Sequence, residues 1–303
     1  MFPGPRPIIV TGPTGAGKSA FAVALAEKIQ GEIVGADAFQ IYSGLPVLTA
    51  QPAPELLARI PHHLIGTLSP EDTCDAARYT RMASHAIRDI QSRGHIPILA
   101  GGTGLYLKSL THGLADLPPV DPALRKSVSE MELPEALARL READADAPDQ
   151  IDAKNPARVR RALEIVLSTG KPLVSARKAW KSAGNNFLGI LLEREREDLR
   201  LRIAANVDAM FDAGVIEEVR KSGNVGHGLS RAIGFREIQE LIAGRMTHHE
   251  CRDRIVTATR RYAKRQLTWC RHQFIFPVIN LTPTISSDEL LESALRLVGG
   301  SDA

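Results

Sequence analysis

The first regular pattern in the chain is Ile8-Ile9-Val10, an unbroken apolar run bounded by proline and glycine. Such a run predicts a short strand covered on both faces. In the alanine-rich stretch 18–29, Phe21, Leu25 and Ile29 stand four apart, which is helical spacing. Residues 32–36 predict a second strand that closes on Asp37. Residues 75–92 predict a helix with Tyr79, Met82, Ala86, Ile87 and Ile90 on one face. Residues 95–100 predict a third strand, running into Gly101-Gly102-Thr103-Gly104. Strand, loop and helix in this alternation predict an α/β fold, a parallel sheet flanked by helices.

The alternation weakens after Leu117-Pro118-Pro119. Short helical patterns follow at 122–131, 134–143 and 156–168, the last closed by Gly170 and Pro172. The strand pattern returns at 187–192, with a helix at about 198–210 behind it. The expected organisation is therefore a core of 1–118 and 186–303 with an inserted all-helical lobe at 119–185. Thr247-His-His-Glu250 has capping-box spacing and opens a long helix that meets no proline before Pro277. No internal repeat or low-complexity tract interrupts the chain.

Composition adds little to this picture, but charge distribution adds more. The net charge is only +3. Residues 121–152 nevertheless hold nine acids against four bases. From 154 to 181, Lys154, Arg158, Arg160, Arg161, Lys171, Arg177, Lys178 and Lys181 face Glu164 alone. A second basic segment spans 245–271. Such asymmetry is what a polyanion partner leaves in a sequence, although solvated helix faces account for either segment alone. No apolar run reaches the roughly 18–20 residues of a membrane span. The N-terminal stretch lacks a secretory cleavage pattern, so the expected location is cytoplasmic. Cys74, Cys251 and Cys270 are far apart and lack CxxC spacing, which predicts reduced, packed thiols. His62-His63 offers no metal site by spacing, because adjacent residues of an extended segment point to opposite sides. Loop polarity or substrate contact is the expected role of that pair.

Gly12-Pro-Thr14-Gly15-Ala16-Gly17-Lys18-Ser19 fits G-x-x-x-x-G-K-[ST], with the strand before and helix after that this loop requires. Its glycines let successive N–H groups turn inward around phosphate oxygens. The helix N-terminus adds partial positive charge, Lys18 a full charge, and Ser19 a hydroxyl suited to Mg²⁺. The motif fixes phosphate binding and leaves kinases, NTPases and diphosphate-releasing transferases open. Ligands of parallel sheets lie at the carboxyl ends of the strands, so Asp37 and Thr103 are expected in the same crevice. Asp37 suits either a magnesium shell or a general base. In the long C-terminal helix, Ile255, Tyr262, Leu267 and Trp269 make an apolar seam. Arg260, Arg261, Lys264, Arg265 and Arg271 surround it, as a solvated face or as phosphate ligands.

Eight segments come in the order of one family. They are the P-loop, Asp37-Ala-Phe-Gln-Ile-Tyr-Ser-Gly44, Pro61-His-His-Leu-Ile65, Gly101-Gly-Thr-Gly-Leu-Tyr106, Arg161-Ala-Leu-Glu-Ile, Thr169-Gly-Lys-Pro-Leu173, Ala232-Ile-Gly-Phe-Arg-Glu237 and Thr259-Arg-Arg-Tyr-Ala-Lys-Arg-Gln-Leu-Thr-Trp269. From residue 8 to about 275 the chain resembles the bacterial tRNA dimethylallyltransferases, also called tRNA isopentenyltransferases. The resemblance implies a P-loop NTPase-like core and transfer of a dimethylallyl group from dimethylallyl diphosphate. The acceptor is the exocyclic amine of the adenosine 3′ of the anticodon, in tRNAs reading codons that begin with U.

It further implies diphosphate binding by Gly12, Thr14, Gly15, Ala16, Gly17, Lys18, Ser19 and Arg231. Mg²⁺ falls to Ser19, the general base to Asp37, and a place at the substrate channel to Thr103. Contacts to tRNA are implied for Asp37, Ala38, Phe39, Gln40 and Thr103, and in the lobe for Arg125, Arg158, Arg160 and Arg161. Neither a membrane nor a protein partner is indicated. Three departures stand out. Ala38 follows Asp37 where the family usually has serine, and Gln51 occupies a usual lysine position. Asp152-Ala-Lys-Asn155 replaces His-Pro-Asn-Asp.

Overall fold

The computed structural model describes residues 4–114, 117–177, 187–282 and 284–299. Lys178, Lys181 and the expected lobe boundary at 185–186 lie outside them. The chain divides into two compact units, one of 1–111 with 185–303 and the other of 112–184.

The first unit is built on six strands: β1 Ile8–Thr11, β2 Gly31–Gly35, β3 His62–His63, β4 Ile96–Ala100, β5 Leu188–Arg194 and β6 Val278–Leu281. They lie in the order β3-β2-β4-β1-β5-β6, and every pairing is parallel. Side chains alternate across the sheet because the strand period is two. Ile9, Val34 and Leu99 face one core with the helix Ala76–Ser92 and the long helix His248–Gln273. Ile8, Val10, Ile33, Ile98, Ile190 and Leu192 face the other, with the helices Lys18–Ile29 and Ser287–Gly299. The fold is thus a P-loop NTPase-like α/β sheet with helices on both faces. Among the described residues no helix is long and apolar enough to cross a membrane.

Strand order reverses between β1 and β4. From β1 the chain moves to β2 on one side, and from β4 it returns to β5 on the other. Loops leaving the carboxyl ends of β1 and β4 diverge there, which opens a crevice. The segment after β4 is drawn against both neighbours. The Gly101 N–H donates to Val10 O at 3.2 Å, and the Thr103 N–H donates to Ala36 O at 3.1 Å.

Toward the amino ends of the strands, Glu32 of β2 is buried at 3% exposure. It accepts hydrogen bonds from His63 Nε2 and His95 Nδ1, each at 2.7 Å, and from both ends of the Arg93 fork. Desolvation acts most strongly and pushes its pKa up. Together His63, His95 and Arg93 outweigh it and hold the carboxyl at about 2. His62 instead donates from Nδ1 to Ile60 O at 2.6 Å. The two histidines do point apart, as members of a short edge strand with structural partners.

The second unit, 112–184, carries the helices Pro122–Glu130, Leu133–Ala143, Pro156–Thr169 and Leu173–Arg177. It has its own core of Val128, Met131, Leu140, Val159, Leu163, Val166 and Leu173. Asn155, one of the departures from the family pattern, caps the third of these helices. Its side chain accepts from Ala157 and Arg158 N–H.

Candidate active site

The loop between β1 and the helix Lys18–Ile29 bends through Gly12, Gly15 and Gly17, at φ of +148°, +81° and +99°. These are values that residues with a Cβ rarely adopt. Gly17 occupies the N-cap, and no side chain caps this helix. The first N–H groups of the helix therefore face the crevice without a protein acceptor. Ser19, in the first turn, makes no side-chain hydrogen bond with the described residues. Lys18 folds back, and its Nζ donates to Pro13 O at 2.9 Å. Burial lowers its pKa to about 8, against the opposing pull of Asp37 and then Cys270. An ammonium held this way is poised to gain from a bound anion.

Not every loop amide is available. The Thr14 N–H donates to Gln266 Oε1 at 2.8 Å, and the Ala16 N–H donates to Pro13 O at 3.2 Å. Gln266 comes from the long helix and is buried at 6% exposure. Its Nε2 donates to Gly102 O at 3.1 Å, so one amide group ties the P-loop to the end of β4. A Cβ at residue 102 would stand 2.2 Å from Gln266 Nε2, so a larger residue there would displace this amide.

Asp37 and Thr103 meet through the backbone between them. The Oδ1 of Asp37 accepts from Phe39 N–H at 2.9 Å and Gln40 N–H at 3.3 Å, which fixes the carboxylate on its own turn. Thr103 Oγ1 accepts from Ala38 N–H at 2.9 Å. The Gln40 side chain donates to Ala50 O at 2.6 Å. Gln51, where the family usually has lysine, donates to Gln40 O and Tyr42 O at 2.9 and 2.7 Å. Its amide thus holds the turn closed from behind. Tyr262 reaches the same place from the long helix. Its hydroxyl interacts with Thr103 and Gln266, and burial followed by Asp37 pushes it up to about 12.

The remaining expected residues belong to other elements. Arg231 is exposed in a 3-10 turn, Leu229–Arg231, and makes no hydrogen bond or ion pair with the described residues. In the helical unit Arg125 and Arg158 are exposed. Arg160 donates to Met131 O at 2.6 Å, and Arg161 pairs with Glu164 at 2.8 Å. Burial, then Arg161 and Arg158, lower the pKa of Arg177, so these three cations crowd one another.

Sequence reasoning missed Gln266, Arg194 and Arg202. The buried stripe of the long helix runs through Ala263, Gln266 and Cys270. A glutamine at that spacing on an apolar stripe is the signal that could have found it. Arg194 ends β5 and donates from Nε to Ala16 O at 3.0 Å, while Arg202 donates from Nε to Gly15 O at 3.2 Å. An arginine closing a buried strand at the ligand edge of a sheet was the available clue.

The arrangement can hold a phosphate group at one wall of a crevice and accept a proton at the other. Comparison with known proteins gives the family. The family model for IPP transferase matches residues 40–273. A tRNA dimethylallyltransferase of Citrifermentans bemidjiense is 42% identical over 268 residues, spanning 86% of this chain and 88% of the relative. The solved tRNA isopentenylpyrophosphate transferase of Bacillus halodurans superposes with a TM-score of 0.73 at 30% identity, covering 97% of this chain and 96% of that one. The corresponding transferase of Staphylococcus epidermidis gives a TM-score of 0.70 at 30% identity, covering 98% and 99%. With the P-loop and the Asp37 turn meeting at one switch point, and with matches of this extent, the chain belongs to the IPP transferase family.

Proposed function

We propose that this chain transfers the dimethylallyl group of dimethylallyl diphosphate to the exocyclic amine of the adenosine 3′-adjacent to the anticodon. The tRNAs are those reading codons that begin with U, diphosphate is the second product, and the cytoplasm is where substrate and enzyme meet. The observation that carries this reading is that Gly102-Thr103 joins the two parts of the site, tied to the P-loop through Gln266 and to the Asp37 turn through Ala38.

In the step itself, the adenine amine nitrogen attacks C1 of the dimethylallyl group. The bond from C1 to the diphosphate oxygen breaks, and its electron pair leaves with the diphosphate. Lys18 and the free N–H groups of the first helical turn stabilise that developing charge. The amine proton passes to the Asp37 carboxylate, whose Oδ1 is already anchored by two backbone donors. General-base assistance of this kind contributes roughly 10²–10⁴-fold. Thr103 keeps the Asp37 turn in place through Ala38.

The donor set also suits Mg²⁺ in the manner of a P-loop, through one hydroxyl together with substrate oxygens and water. Ser19 is the residue that would hold it, its hydroxyl having no protein hydrogen bond. The ion, when bound, neutralises charge on the leaving diphosphate. A target base inside a stacked loop must be turned out to reach the crevice. Arg158, Arg161 and Arg177 form a cationic cluster suited to an RNA backbone. The residues Ala38, Phe39 and Gln40, which flank Asp37, are the ones we assign to the adenosine.

Thermal unfolding separates this reading from an ATP-dependent kinase built on the same loop. Dimethylallyl diphosphate should raise the melting temperature more than ATP at equal concentration. Stabilisation by ATP alone would count for the kinase.

A further inference from the structure

The P-loop is supported from outside by two arginines that no motif singles out. Arg194 is the last residue of β5, with a side chain 13% exposed. Its Nε donates to Ala16 O at 3.0 Å, and its Nη1 donates to Asp198 Oδ2 at 2.6 Å. Asp198 lies in the first turn of the helix Arg196–Asp212, which Glu195 caps. One turn further along that helix, Arg202 holds Gly15 O. The second amino group of Arg194 makes no hydrogen bond with the described residues, and stands 3.9 Å from where a Cβ of residue 17 would be.

A trans peptide is planar, with its carbonyl and N–H pointing in opposite directions. A donor that fixes Ala16 O on the outside of the loop therefore fixes the Gly17 N–H on the inside. Gly17 is a left-handed glycine with no side chain to hold its orientation, and its own carbonyl already accepts from Phe21 N–H at 3.2 Å, so the Ala16–Gly17 peptide is the unit left for Arg194 to fix. A charged donor on the carbonyl also polarises the amide and strengthens its N–H as a donor. Asp198 holds the guanidinium plane and offsets its charge. The effect of Arg194 is therefore directional, and a lysine, whose rotatable ammonium lacks the planar fork, does not reproduce it.

We infer that Arg194, locked by Asp198, is a positioning residue that turns the Gly17 N–H into the loop and thereby sets affinity for the diphosphate of the prenyl donor. The inference rests on reading this loop as the diphosphate cradle. Arg194 acts on the loop from behind, in addition to the diphosphate contact that the family resemblance implies for Arg231.

The test measures binding of inorganic diphosphate by calorimetry in the full chain, alongside steady-state transfer. Arg194→Gln and Arg194→Lys should each weaken diphosphate binding about tenfold, the loss of one charge-assisted hydrogen bond. The KM for dimethylallyl diphosphate should rise in parallel, while the KM for tRNA stays within about twofold. Asp198→Asn leaves the arginine in place and should weaken diphosphate binding by about threefold, so it carries the test even if an Arg194 variant fails to fold. No diphosphate binding by the unaltered protein would overturn the cradle reading and this inference with it. Binding by the unaltered protein that persists undiminished in folded Arg194→Gln and Asp198→Asn would overturn this inference alone. A KM for tRNA that rises as much as the KM for the prenyl donor would do the same.

Discussion

Thr103 accepts a hydrogen bond from the Ala38 N–H at 2.9 Å, and this bond holds the turn that carries Asp37. The contact joins the end of β4 to the loop leaving β2, two neighbouring strands. In Thr103→Val the shape is kept but Ala38 N–H loses its acceptor. Turnover should fall about tenfold or more while the KM for dimethylallyl diphosphate changes little, since the loss falls on proton acceptance. Thr103→Ser should restore most of the rate. Steady-state kinetics on the three proteins check this, and equal rates in all three would contradict it.

Gln266 sets the spacing of the two walls, because its amide both accepts from Thr14 and donates to Gly102. Gln266→Leu strands the buried Gly102 carbonyl, at about 1–3 kcal/mol, and the half-buried Thr14 N–H at less. Gln266→Glu keeps the acceptor for Thr14 but turns an oxygen toward the Gly102 carbonyl. Both variants should melt at lower temperature and bind diphosphate more weakly. Calorimetric unfolding with a diphosphate titration checks both effects.

The lowered pKa of Lys18, about 8, has a definite sign. The unfolded chain keeps this proton up to about pH 10.5, whereas the folded chain releases it near 8. Between those values the unfolded state binds more protons, so the contribution to stability rises with pH, and below 8 the buried ammonium costs stability. Lys18→Met should accordingly raise the melting temperature at pH 7 while abolishing diphosphate binding. In the unaltered protein the KM for dimethylallyl diphosphate should climb above about pH 8, as the lysine loses its charge. A flat profile from pH 7 to 9.5 would contradict the assignment.

Glu32 works in the other direction. Its carboxyl is held at about 2, so the stability it contributes is present above the unfolded value of 4.5 and is lost as pH falls toward 2. Glu32→Gln removes the charge shared by His63, His95 and Arg93 and should cost about 3 kcal/mol at neutral pH. The stability difference between the two proteins should shrink progressively below pH 4.5. Urea unfolding at a series of pH values measures it.

How far the sequence discloses this molecule depends on the distance over which each feature is determined. The strand at Ile8, the glycines after it and the helix from Lys18 are legible, because local pattern and turn chemistry specify them together. The edge strands are not. His62–His63 is too short to show a period, and Val278–Leu281 follows a proline and is half exposed. Parallel pairing with β2 and β5, not local pattern, makes them strands. Within the site, Asp37 and Thr103 could be placed by the rule that ligands lie at strand ends. Gln266 could be marked by its place on an apolar stripe but not paired, since its partners are 252 and 164 residues away in the chain. The same holds for Arg194, whose bond to Ala16 spans 178 residues.

The most direct test of the account is transfer of label. The protein is incubated with Mg²⁺, radiolabelled dimethylallyl diphosphate and unmodified tRNA whose anticodon reads codons beginning with U, with Asp37→Ala in parallel. Label should appear on the adenosine 3′ of the anticodon, and the Asp37→Ala protein should bind diphosphate yet transfer at least about a hundredfold more slowly. Absence of label from every such tRNA, or equal transfer by the two proteins, would contradict it.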